Sequence, residues 1–111
     1  MNREAKKLPK IVKQFFDAAN RWDPTLAAAC FTPKALVRDE DRDYEGRMAI
    51  RGWVAEISRR YHPAFIPLQT FVSDDVVSGQ IAVSGQFPGS PVTLDYEFLV
   101  HHGKINALTI A

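Results

Sequence analysis

Cysteine is nearly absent from this 111-residue chain: Cys30 stands alone, so no internal disulfide can form and no cysteine-rich zinc site can be assembled. Long apolar runs are missing too. No stretch approaches the ~20 residues that span a bilayer, which argues against a membrane partner. Lys and Asp interrupt every apolar run near the start, so a signal-peptide pattern is lacking and a reducing cytoplasm is the expected location. The chain also has no excess charge of either sign. Lys plus Arg number 14 against 13 Asp plus Glu, without the basic surplus that neutralises phosphates, so nucleic acid is not an expected partner. The one asymmetry is the cluster Arg3, Lys6, Lys7, Lys10 and Lys13, expected to be the solvated face of a helix. Glycine-rich phosphate loops, serine-elbow motifs and paired histidine spacings are absent, and neither a cofactor nor a metal is expected. The acidic run Asp39, Glu40, Asp41, Asp43 and Glu45 lacks the glycine and terminal glutamate of a calcium loop.

What is present is a globular composition, 46% hydrophobic and 24% charged. A chain this long buries roughly two-thirds of its unfolded surface, enough for one core, and residues 1–111 are expected to form a single domain. Leu8, Val12, Phe15, Phe16 and Ala19 recur at helical spacing and predict a first helix. Asp23-Pro24 supplies an N-cap and a first-turn proline for a short second helix to about Cys30, with Thr32-Pro33 closing it. Ala35 to Arg38 has strand character, and Asp39 to Glu45 reads as a loop or short hairpin. Ile50, Trp53, Val54, Ile57 and Tyr61 then mark a third helix, which Pro63 stops.

Beyond Pro63 the period changes from helical to two. Val77, Gly79, Ile81, Val83, Gly85 and Phe87 alternate with polar or small residues, as in a strand with one buried face. Phe65 to Val72, Val92 to Val100 and Lys104 to Ile110 supply three further strands. Their connections are short and rich in turn residues, so neighbours should pair antiparallel. The expected class is α+β, with the helices laid against a curved antiparallel sheet.

Three strings carry a resemblance: Val12 to Asn20 (VKQFFDAAN), Glu45 to Trp53 (EGRMAIRGW) and His102 to Ile105 (HGKI). In this order and separation they resemble the nuclear transport factor 2-like superfamily, and within it the SnoaL-like group, distant relatives of ketosteroid isomerase. The resemblance implies a cone-like fold whose sheet curls around the helices to enclose an apolar pocket, usually in a homodimer paired through the sheet. It also implies a small apolar ligand, and it leaves activity open, because one scaffold hosts many functions.

Asp39 follows the Leu36-Val37 strand and is similar in position to the isomerases' general base. A carboxylate beside apolar walls can take a proton from carbon next to a carbonyl; the alternative is a solvated loop acid. The isomerases also use a tyrosine of helix one, and Phe15 stands in its place, which argues against true ketosteroid isomerase activity. A count back from Gly103-Lys104 puts Asp95 at the isomerases' second acid, yet Val92, Leu94, Tyr96, Phe98 and Val100 form the apolar face of that strand. Alternation therefore turns Tyr96 inward, as a hydrogen-bond donor to a ligand, and Asp95 outward. Phe15, Phe16, Phe31, Trp53 and Phe98 are expected to line the pocket or to fill it. His62, past helix three, is placed at the pocket mouth or at the helix C-terminus as a cap. His101 and His102 are expected on opposite faces of a hairpin tip. The function expected is binding of a small apolar molecule, with isomerase- or cyclase-like proton transfer in which Asp39 is the base; the alternative is a non-catalytic dimerisation or binding domain.

Overall fold

The structure is a computed structural model and describes residues 8–111. Of the basic cluster, Lys10 and Lys13 are exposed on the first helix, while Arg3, Lys6 and Lys7 lie outside the described residues.

Helix α1 (Lys10–Asn20) begins at Pro9 and turns Ile11, Val12, Phe15, Phe16, Ala18 and Ala19 into the core. Its last residue ties it to the sheet. The Asn20 side chain donates to the Phe65 carbonyl at 3.0 Å and accepts from the Phe65 N–H at 2.7 Å, occupying both backbone groups of one strand residue. Helix α2 (Pro24–Ala29) is opened by Asp23, whose carboxylate accepts from the Leu26 N–H, with Pro24 in the first turn.

Strand β1 (Phe31–Asp39) starts directly after α2, so Thr32-Pro33 belongs to a strand and does not merely close the helix. The strand tolerates Pro33 because its pairing register shifts between Phe31 and Leu36. Residues 39–45 make the expected hairpin, in which β2 (Arg42–Glu45) pairs back on β1. Gly46, at φ 87°, turns the chain into α3 (Arg47–Tyr61), a conformation that favours glycine.

Strands β3 (Ala64–Ser73), β4 (Val76–Ser84), β5 (Val92–His101) and β6 (Lys104–Ile110) form the antiparallel meander that the turn chemistry predicts. The whole sheet is mixed, however. Its order is β2-β1-β6-β5-β4-β3, and β1 runs parallel to β6. Short turns specify antiparallel neighbours, whereas β1 and β6 are joined through the rest of the chain. The sheet curves over the helices without closing into a barrel. Strand β4 ends at Ser84, earlier than the alternation through Phe87 predicts. A Cβ on Gly85 would lie 2.6 Å from the Tyr61 carbonyl, and the Gln86 N–H donates to that carbonyl at 2.7 Å, so the chain leaves the sheet to clasp the end of α3.

The core lies between α1, α3 and the concave face of the sheet. Phe31, Phe98, Ile50, Ile81, Ile105 and Leu108 are its largest fully buried side chains. Each such residue contributes roughly 1.5–3 kcal/mol of transfer free energy. Phe15 is the hub of an edge-to-face cluster, with ring centroids 5.3 Å from Phe16, 5.5 Å from Phe31 and 5.8 Å from Phe98.

Candidate functional site

Beside this core the helical layer and the sheet part to leave a cavity of about 350 Å³. Trp53, Ile57 and Tyr61 supply its helical wall, four residues apart on one stripe of α3. Val83, Val92, Leu94 and Tyr96 supply the sheet wall, with Phe65, Phe87 and Pro88 at the clasped end of α3. Asp39 and Glu40, at the tip of the β1–β2 hairpin, close the remaining side together with Ile110.

Asp39 is half-buried and is the last residue of β1, paired with Arg42 across the hairpin and with Ile110 of β6. The indole Nε1 of Trp53 donates to its Oδ2 at 3.1 Å. Trp53 is itself held, buried at 4% exposure with Tyr44 of β2 packed at 5.9 Å between centroids. The neighbouring Arg38 points the other way along the alternating strand, where its guanidinium makes two hydrogen bonds to Asp43 at 2.8 and 3.0 Å. Among the described residues no salt bridge reaches Asp39 or Glu40.

Tyr96 is buried on the concave face and lines the cavity, whereas Asp95, one residue away, is exposed on the convex face. Burial pushes the Tyr96 phenol well above its ordinary pKa, and the negative charge of Asp39 pushes it further. The hydroxyl therefore stays protonated, and a donor, at neutral pH.

Of the side chains expected around the cavity, the structure brings together Asp39, Trp53 and Tyr96. Four aromatic residues expected either to line the pocket or to fill it do the second. Phe15, Phe16, Phe31 and Phe98 pack against one another in the core and do not line the cavity, because α1 presses directly on the sheet where they lie. His62 also lies outside it: it caps α3 in the left-handed conformation, at φ 46°, with its exposed ring 4.9 Å from that of Trp22. His101 and His102 are not on opposite faces. His102 turns at φ 50°, which brings the two exposed rings to 4.0 Å between centroids. Among the described residues no group of three or more His, Cys, Asp or Glu side chains is placed to hold a metal ion.

Among the lining residues not expected from the sequence are Ile57, Tyr61, Phe65, Phe87 and Leu94, with Glu40 at the rim. The signal for two of them was in plain view, since Ile57 and Tyr61 continue the stripe that begins at Trp53.

A family model described as SnoaL-like domain matches residues 12–105. The chain belongs to the SnoaL-like family. Among solved structures, a candidate polyketide cyclase from Sinorhizobium meliloti is 38% identical, with a TM-score of 0.90 over 94% of this chain and 95% of that one. A protein with a ketosteroid isomerase-like fold from Catenulispora acidiphila, solved in complex with trimethylamine, is 17% identical, with a TM-score of 0.85 over 95% and 86%. An NTF2-like protein from Cytophaga hutchinsonii is 12% identical, with a TM-score of 0.79 over 98% and 93%. No curated protein matches the chain.

Proposed function

We propose that this SnoaL-like domain binds a small, largely apolar carbonyl compound in the cavity beside α3 and transfers a proton on it, in the manner of an isomerase or cyclase. The observation that carries the reading is the Trp53–Asp39 hydrogen bond at the edge of a cavity that Tyr96 also lines. Asp39 is the base. Its Oδ2 is engaged by the indole, which leaves Oδ1 to take a proton from carbon adjacent to the carbonyl. The protonated Tyr96 hydroxyl is the donor for the oxygen on which enolate charge develops. Likeness to the candidate polyketide cyclase supports this choice of chemistry. Steroid isomerisation is not proposed, because the residue at the tyrosine's place, Phe15, offers no hydroxyl and packs in the core.

The test is hydrogen–deuterium exchange at carbon next to the carbonyl of small ketones in deuterated water, followed by NMR. Wild type is expected to accelerate exchange of at least one compound, Asp39→Asn to abolish the acceleration, and Tyr96→Phe to weaken it. Equal exchange by wild type and Asp39→Asn would remove the proton-transfer reading.

A second reading concerns the convex face of the sheet. Phe71 is 62% exposed, with Ile66, Leu68 and Leu99 also exposed on strands β3 and β5. Such side chains fit a homodimer paired through the sheet.

A further inference from the structure

We infer that the cavity selects by charge: it takes uncharged carbonyl compounds and turns away their carboxylate counterparts. This rests on the cavity being the ligand site, and it does not depend on whether proton transfer occurs there. The lining carries two carboxylates, Asp39 and Glu40, and no Lys, Arg or His. Arg42, across the β1–β2 hairpin from Asp39, is exposed and is not part of the lining. Arg38 is spent on Asp43, and Arg59 is held by Glu56 at 2.9 Å. Arg60 lies 3.8 Å from the same Glu56 and 5.2 Å from the centre of the Tyr61 ring, and it is not part of the lining.

The charge of the lining is already felt by one side chain, since Asp39 strengthens the proton affinity of Tyr96. An anionic ligand seated between Asp39 and Tyr96 meets repulsion that apolar walls screen poorly, and no side chain is there to compensate. An uncharged carbonyl meets the same walls without that repulsion, and the Tyr96 hydroxyl can donate to its oxygen.

The experiment compares matched pairs of one skeleton, phenylacetone with phenylacetate and cyclohexyl methyl ketone with cyclohexanecarboxylate, by titration calorimetry and saturation-transfer NMR at neutral pH. At least one ketone is expected to bind, with its carboxylate partner weaker by about tenfold or more. Asp39→Asn, which keeps an oxygen acceptor for the Trp53 indole, is expected to narrow that gap. Glu40→Gln, at an exposed position, is expected to narrow it less, and it serves should the first variant fold poorly. Carboxylates binding as tightly as ketones to wild type overturn the inference, as does failure of every ketone to bind. Ketone binding without deuterium exchange sinks the catalytic reading alone.

Discussion

Replacing Tyr96 by phenylalanine removes one hydroxyl from the cavity wall and should change the alkaline stability of the protein in a calculable way. Tyr96 is 4% exposed, and its folded pKa is raised, first by burial and then by Asp39. In the unfolded chain the phenol titrates near ~10. A group whose folded pKa is raised keeps its full contribution below the unfolded value and loses it as pH climbs toward the folded one. Between those limits the unfolded state releases a proton that the native state retains. Stability should then fall by about 1.4 kcal/mol for each pH unit above ~10, over and above what the other groups contribute. Urea unfolding of wild type and Tyr96→Phe on both sides of that pH isolates the contribution, because the other tyrosines and the lysines are common to both proteins. The phenylalanine variant should gain on wild type by about 1.4 kcal/mol per unit. Asp39→Asn should fall with the same slope as wild type, because burial, the larger cause of the shift, remains. Parallel alkaline limbs for wild type and Tyr96→Phe would refute the burial of the Tyr96 hydroxyl beside the Asp39 charge.

Asn20→Ala should cost about 1–3 kcal/mol in chemical denaturation, since it strips both hydrogen bonds from the backbone of Phe65, a buried residue of the cavity wall. Phe71→Glu should leave the thermal midpoint nearly unchanged while converting a sheet-paired dimer to monomer in multi-angle light scattering. A wild-type protein that is already monomeric would remove the dimer reading.

The elements that local chemistry specifies were legible in the sequence. Asp23-Pro24 announces α2, and the alternation of Val92, Leu94, Tyr96, Phe98 and Val100 decides which face of β5 is buried, hence why Tyr96 and not Asp95 is turned inward. Pairings that depend on distant parts of the chain were not legible. Nothing near β1 states that it will lie parallel to β6, and Pro33 reads as a helix terminator until the register shift around it is known. The aromatic residues show the same limit. Phe15 and Trp53 sit on equally apolar helical stripes, and periodicity says only that each faces inward. Which of them meets packed neighbours and which meets open space depends on where α1 and α3 diverge over the sheet. Residues 85–88 clasp the end of α3 beside the cavity, a tertiary contact with no sequence period.

Asp39, oriented by Trp53 and beside Tyr96, is proposed to act on a ligand in the cavity beside α3. Deuterium incorporation next to the carbonyl of a bound ketone tests it most directly, with wild type and Asp39→Asn compared at ligand saturation. Incorporation by wild type that is lost in Asp39→Asn, while the ketone still binds both, is the result predicted. Incorporation at the same rate in both proteins, or none in wild type with the ketone bound, contradicts it.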